Sequence, residues 1–306
     1  MAIEKLWVEK YRPVSVTDYV WRDEDQRNQV MQWVSNKSIP HLLLSGSPGV
    51  GKTTLAKVLL AELEVDSYDI LEINASRENS VDTIRDKITG FVQTMPFGDF
   101  KVVLLDEADY LTHNAQAVLR GLTETYADTA RFILTCNYPN KIMSALHSRC
   151  QGFHIEKLDR VEFTARVATI LVEENVIFDL DVLDSYVTAT YPDLRKCINS
   201  LQMACVNSIL EKPTIDNKSG IDYKIQVVEL FKEGRVRDAR KLMCSSIRPD
   251  EIEEIFRWMY DNLDFWGSTP EEQDKAIIII RNGLINHSMV GDVEINLAAT
   301  LIELTS

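Results

Sequence analysis

The stretch "GSPGVGKT", Gly46–Thr53, fits the pattern G-x-x-x-x-G-K-[ST] at every defined position. An apolar run, "HLLLSG" from His41, leads into it, and "LAKVLLAEL" after it has helical spacing. The order strand, glycine loop, helix is the context this motif needs to hold phosphates. Gly49 and Gly51 let backbone N–H groups turn inward. Ser47, Pro48 and Val50 complete the loop, Lys52 reaches the β- and γ-phosphates, and Thr53 offers a hydroxyl to Mg²⁺. Thr54 follows in the first turn of a helix whose positive end points at the phosphates. ATP with Mg²⁺ is the expected ligand.

Outward from this loop, "DILEINAS" from Asp69, "FKVVLLDEAD" from Phe100 and "ARFILTCNYP" from Ala130 read as further strands. Each is continuously apolar rather than alternating, as strands buried on both faces are. Helical stretches such as "SVDTIRDKITGFVQ" and "NAQAVLRGLTETYA" separate them. The expected fold is therefore α/β, a parallel sheet with helices on both faces, ending near Ile155. Asp106 closes a buried strand and is placed to hold Mg²⁺ through water; Glu107 can orient and deprotonate an attacking water. With Lys52, this acidic pair points to hydrolysis and not to binding alone.

Beyond Leu158 the strands are expected to give way to helices. These include "RVEFTARVATILVEENV", "DLDVLDSYVTATY" and "PDLRKCINSLQMACVNSIL". A polar stretch with Pro213, Asn217, Ser219 and Gly220 reads as a linker to further helices. The division expected is residues 1–157, 158–220 and 221–306. Phe256, Trp258, Phe265 and Trp266 in the last part suit helix packing, within or between protomers.

The 306 residues carry 33 Lys and Arg against 47 Asp and Glu, a net charge of −14. That excludes a general nucleic-acid coat, because phosphate binding depends on displacing counterions with Lys and Arg. A small basic face remains possible. No apolar run approaches the ~18 residues of a membrane span, and "MAIEKLWVEKYRP" has no signal-peptide core. A cytoplasmic protein with no membrane partner is expected. The five cysteines form no CxxC pair, so neither zinc site nor disulfide framework is implied. In "HSRCQ", His147 and Cys150 lack partners at ligand spacing.

Six segments in order give a resemblance to the AAA+ ATPases of the sliding-clamp loader, of the replication factor C small-subunit type. "LWVEKYRP" (Leu6–Pro13) is similar to the box that folds over the adenine, which implies contacts from Val8, Tyr11, Arg12 and Pro13. The P-loop and "DEADYLTHNAQAVLR" match the two nucleotide motifs. "TCNYPNKI" resembles sensor 1, with Asn137 positioning water near the γ-phosphate. "SRC" (Ser148–Cys150) resembles the arginine-finger motif, with Arg149 acting on an adjacent subunit. "YPDLRKCINSLQ" resembles sensor 2, with Arg195 reaching the same phosphates. The family implies an AAA+ domain, a helical lid and a helical collar. It implies DNA contacts from Ser76, Arg77, Asn79, Ser80, Arg85 and Lys87, and coupling of nucleotide site to DNA channel through Gln116 and Arg120. Where relatives carry "SDERG" this chain has "SRENS". Arg149, expected after the last core strand and across the sheet from its own P-loop, makes hydrolysis conditional on assembly.

The resemblance further implies copies of this chain with a smaller subunit in a pentamer, a ring-shaped sliding clamp, and primer–template DNA. "YPDLRK" and the compact length look closer to bacteriophage loaders of the T4 type. Two other readings compete: a branch-migration helicase, expected to end in a basic winged-helix domain, and a scaffold subunit that binds ATP without hydrolysing it.

Overall fold

A computed structural model describes residues 5–155, 157–212, 223–247, 251–287 and 289–305. The expected linker around Pro213–Gly220 lies outside the described residues. Two compact units divide the chain: Glu9–Phe163, and Met1–Val8 with Thr164–Ser306.

In the first unit five strands form one parallel sheet in the order β2-β3-β4-β1-β5. They are β1 (Leu42–Gly46), β2 (Ile70–Asn74), β3 (Lys101–Asp106), β4 (Ala130–Cys136) and β5 (Gln151–Ile155). The helices are α1 (Trp7–Lys10), whose first two residues belong to the other unit, α2 (Glu24–Ser35), α3 (Lys52–Glu62), α4 (Val81–Val92), α5 (His113–Thr125) and α6 (Ser144–His147). Side chains alternate across the sheet. Leu43, Val103, Leu105, Phe132 and Leu134 pack with Ile84 and Ile88 of α4 and Ala115 and Leu119 of α5. The intervening Leu42, Leu44, Val102, Leu104 and Ile133 are equally buried and belong to the opposite face, where α3 packs against β1 and β4. Both faces of the inner strands β1, β3 and β4 are dry, which is why these are continuously apolar in sequence, whereas in the edge strand β2 only Ile73 is buried.

The fold class is as expected, with two corrections. β5 is a fifth core strand, so Arg149 precedes the last strand instead of following it. Only Phe153 and Ile155 of "QGFHI" are buried, an edge pattern with too little apolar signal to stand out. The expected helix over 192–210 stops at Ala204. Residues 205–210 form a small antiparallel hairpin, β6 (Cys205–Val206) and β7 (Ile209–Leu210). Asn207 and Ser208 both take positive φ, the geometry a two-residue hairpin turn requires, and this overrides the helical spacing.

The second unit contributes α7 (Arg160–Glu173), whose first turn belongs to the sheet unit, then α8 (Leu180–Thr190) and α9 (Leu194–Ala204). Helices α10 (Tyr223–Lys232), α11 (Val236–Ser246), α12 (Ile252–Asp261), α13 (Pro270–His287) and α14 (Val293–Leu304) complete it. Phe256 and Trp258 are buried within this unit. Trp258 and Trp266 pack edge-on at 6.0 Å, and Phe231 and Phe265 join them. No described helix is long and apolar enough to cross a membrane.

Candidate active site

The P-loop begins where β1 ends. Gly46 opens it at φ 152°, pressed against β5, and a Cβ there would overlap the carbonyl oxygen of Ile155. Gly51 closes it at φ 90°, in the left-handed region, and a Cβ would meet the Tyr19 ring at 3.1 Å. Tyr19 is buried, and its hydroxyl donates to the carbonyl of Val50 at 3.2 Å. Burial pushes that phenol above its ordinary range. The ring is thus a fixed floor beneath the loop, one that sequence reading did not single out. Gly51 caps α3 without a side chain, so the first-turn N–H groups have no side-chain cap and face the space where phosphates bind.

Lys52 is buried, and its ammonium donates to the carbonyls of Gly46 at 2.9 Å and Ser47 at 2.7 Å. Those bonds hold the charge against the loop, where phosphate oxygens can replace the carbonyls. Thr53 lies one step into α3, and its hydroxyl donates to Asp106 Oδ1 at 2.6 Å. The same carboxylate oxygen accepts the Thr135 hydroxyl at 2.6 Å.

Thr135 is the residue whose role only the fold discloses. It sits on β4 between β1 and β3, level with Leu44 and beside the end of β3, where Leu105 pairs with Leu134. While donating to Asp106 it accepts the N–H of Glu107 at 3.0 Å. One hydroxyl therefore fixes both members of the acidic pair. Glu107 takes φ 57°, a left-handed conformation uncommon for a residue with a side chain. Such conformations persist where the surroundings over-determine them, and here the Thr135 hydroxyl holds the Glu107 N–H. The only sequence signal for Thr135 is a hydroxyl inside the otherwise apolar run "FILTC".

The set Thr53 and Asp106 suits a hard divalent cation: oxygen ligands only, converging within one hydrogen bond. Among the described residues no three His, Cys, Asp or Glu side chains form a metal cage. Mg²⁺ takes one or two protein ligands and completes its shell with phosphates and water, and Thr53 with Asp106 could supply those ligands.

Asn137 follows β4 directly, at the level of Gly46, because Cys136 pairs with Ser45. Its loop is tied down by Asp109, which accepts the Tyr138 N–H at 3.2 Å. P-loop, acidic pair and Asn137 thus gather at the carboxyl ends of three neighbouring strands, the usual ligand crevice of an open α/β sheet. Burial pushes the thiols of Cys136 and Cys150 up to about 12, so neither is a nucleophile near neutrality.

Arg149 lies at the other end of the sheet. Gln151, two residues on, pairs with Leu42, the first residue of β1. The length of β1 separates it from the P-loop, roughly 13 Å at about 3.3 Å per residue. Its guanidinium donates to the carbonyl of Ala145 at 2.8 Å and pairs with Glu124 on α5. It borders an open cleft of ≈ 480 Å³ with His41 and Arg131, at the amino ends of the strands. His147 donates to or accepts from nothing catalytic: its Nε2 lies 2.8 Å from the Pro139 carbonyl.

Gln116 is buried. Its amide donates to the carbonyls of Leu111 and Lys141, and its oxygen accepts the Met143 N–H at 2.8 Å. It thereby links the segment after Asp106–Glu107 to the segment before Arg149. Arg120, one turn on, is exposed. Ser76, Arg77, Asn79, Ser80, Arg85 and Lys87 are all exposed around the start of α4. Ser80 caps that helix by accepting the Thr83 N–H, and Ser76 donates to the Asn74 side chain. Arg85 pairs with Asp82 and Lys87 with Glu78, so this face is less basic than its sequence suggests. Tyr11, Arg12 and Pro13 are half-buried, with Arg12 paired to Glu9 at 2.7 Å. Val8 and Arg195 fall in the helical unit. Arg195 is exposed in the first turn of α9, beside its cap Asp193, whose carboxylate accepts the Lys196 N–H.

Residues 42–157 match the model of the ATPase family associated with various cellular activities (AAA). A replication factor C small subunit of Methanococcus maripaludis (strain S2) is 37% identical over 278 residues, covering 88% of this chain and 83% of that one. The replication factor C small subunit of Aeropyrum pernix is 38% identical over 255 residues, covering 81% and 74%. That of Sulfurisphaera tokodaii is 43% identical over 217 residues, covering 70% and 65%. Among solved structures, the Thermotoga maritima RuvB Holliday junction branch migration motor superposes with a TM-score of 0.57 at 16% identity, over 80% of this chain and 88% of that one.

Proposed function

The chain belongs to the replication factor C small-subunit family and carries an AAA ATPase domain, and on that premise we propose that it is an ATPase subunit of the sliding-clamp loader in DNA replication. ATP binding assembles and opens the loader around a ring-shaped clamp and primer–template DNA. Hydrolysis then releases the clamp closed on DNA. The observation that carries the hydrolytic part is the convergence of Thr53 and Thr135 on one oxygen of Asp106, beside Lys52 and the uncapped start of α3.

In this reading Lys52 and the loop N–H groups hold the triphosphate, and Thr53 with Asp106 holds Mg²⁺. The ion, when bound, neutralises charge on the β- and γ-phosphate oxygens. Glu107 takes the proton of the attacking water, and Asn137 fixes that water's position. Arg149 and Arg195 supply positive charge as it develops on the γ-phosphate, Arg149 from the adjacent subunit. The placement of Arg149 at the opposite end of its own sheet supports action in trans. Val8, Tyr11, Arg12 and Pro13 enclose the adenine.

The proposal keeps three domains, 1–157, 158–220 and 221–306, as ATPase, lid and collar. DNA runs past the start of α4, held by Ser76, Arg77, Asn79 and Ser80, with Arg85 and Lys87 exchanging carboxylates for phosphates. Gln116 and Arg120 couple that face to the acidic pair. The narrower T4-type bacteriophage reading requires a measured mass of four copies plus one smaller subunit, at work in a bacterial cytoplasm. A branch-migration motor is not favoured, because 16% identity speaks for the fold alone and the described residues after 223 are helical outside short turns.

The test is Glu107→Gln in the assembled complex. ATP binding should persist while DNA- and clamp-stimulated turnover falls by about 10²–10⁴, the usual worth of a positioned base. Unchanged turnover would show that the measured hydrolysis does not depend on Glu107 and would overturn that assignment.

A further inference from the structure

We propose that Glu124 is a positioning residue for Arg149. This inference rests on the trans-acting role of Arg149 given above. Glu124 lies in the last turn of α5, and its Oε1 pairs with Nη2 of Arg149. Nη1 of the same guanidinium donates to the Ala145 carbonyl at 2.8 Å, one turn back along the segment that bears it, with Ser148 Oγ at 3.5 Å. A guanidinium carries five N–H donors in a fixed fork. Two elements, α5 and α6, therefore grip the two terminal nitrogens, which fixes the plane and direction of the group.

The grip is partial. The Arg149 side chain keeps 29% of its surface exposed and borders the open cleft at the amino ends of the strands. Arg131 lines the same cleft but serves the scaffold. Its Nε donates to the Ile39 carbonyl at 2.8 Å, and its Nη1 to the carbonyls of Ala127 and Ala130. Arg149 thus divides its guanidinium between one backbone carbonyl and one half-exposed carboxylate, whereas Arg131 spends its bonds on three backbone carbonyls.

A finger that must meet a phosphate on another chain gains from being held in its working direction before contact. A free arginine would lose rotamer freedom at the moment of reaction. Glu124 supplies that restraint, and being 49% exposed it stays hydrated enough to share the cation with an incoming phosphate. α5 also carries Gln116, whose amide bonds to Lys141 and Met143 hold the segment leading into α6. The direction of the finger is consequently set by the same helix that follows the acidic pair.

The experiment uses the full chain, assembled with its partner subunits, clamp and primer–template DNA, carrying Glu124→Ala, Glu124→Gln, Arg149→Ala or Glu124→Ala/Arg149→Ala. Stimulated kcat and KM for ATP are measured, with the mass and melting temperature of each assembly. Misdirecting a catalytic group typically costs up to about 10²-fold, so Glu124→Ala should lower kcat by about 10–100-fold with KM, mass and melting temperature unchanged. Glu124→Gln retains an acceptor oxygen and should recover most of the rate. The double variant should be no slower than Arg149→Ala. An unchanged or raised kcat in Glu124→Ala, or a double variant slower than Arg149→Ala, would overturn the proposal. A normal rate in Arg149→Ala would instead overturn the trans-arginine reading beneath it.

Discussion

Replacing Thr135 by valine keeps the volume of a buried side chain and removes one hydroxyl that makes two bonds. The first, to Asp106 at 2.6 Å, has an ionised acceptor, and such bonds contribute about 1.5–3 kcal/mol. The second leaves the Glu107 N–H, donated at 3.0 Å, without its acceptor, and an ordinary bond contributes about 0.5–1.5 kcal/mol. Together the loss is about 2–4 kcal/mol. For a sheet unit near 150 residues this lowers the melting temperature by about 5–15 °C. Function should suffer separately from stability. Asp106 keeps Thr53 as a partner until Mg²⁺ competes for that hydroxyl, and then has nothing from Thr135 to aim it. Loss of such an orienting group typically costs about 10–100-fold in metal affinity or activity. Thermal melting and a Mg²⁺ titration of ATPase rate, both below the new transition, separate the two effects. Equal melting temperatures together with equal Mg²⁺ half-saturation would refute the argument that this hydroxyl fixes the acidic pair.

Two further perturbations follow from packing and titration. Gly46→Ala drives a Cβ into the Ile155 carbonyl, where rigid backbone cannot yield, and should cost about 1–3 kcal/mol or more. Limited proteolysis would show opening of the β1–β5 edge, and wild-type resistance would contradict the close approach. The thiols of Cys136, Cys150 and Cys197 are each raised by burial from an ordinary 9.0 to about 12. A raised folded value means stability is fully present below pH 9 and lost as pH climbs from 9 through 12, because the unfolded chain releases protons that the folded chain keeps. Urea midpoints should therefore be level from pH 7 to about 8.5 and fall between about 9 and 11. A level profile across that upper range would show that these thiols are not buried as described.

The buried pair Asp69–Lys101 shows how much of this unit is built from non-local polar contacts. Asp69 is fully buried, 3.4 Å from the Lys101 ammonium, and accepts the N–H groups of Phe97 and Gly98. In the sequence these are charges at the edges of two apolar runs, with nothing to say that they meet. β5 was equally hard to read: only two of its five residues are buried, and its identity as a strand comes from pairing with β1. The hairpin at 205–210 hid behind helical spacing because Asn207 and Ser208 decide it through backbone conformation.

Contiguous chemistry was legible from residue order alone. Eight consecutive residues hold phosphates because loop, lysine and helix start are one local structure, and continuous apolar runs imply a sheet buried on both faces. Tertiary structure decided the rest. Parallel register places Thr135 between the P-loop strand and the acidic pair, folds Tyr19 under Gly51, and leaves Arg149 one strand length from its own P-loop but against Glu124. The physical reason is that a strand's neighbours are fixed by hydrogen-bond pairing across the sheet. Residues 29 apart, such as Thr135 and Asp106, form a hydrogen bond, donated by the threonine hydroxyl, only after that pairing forms.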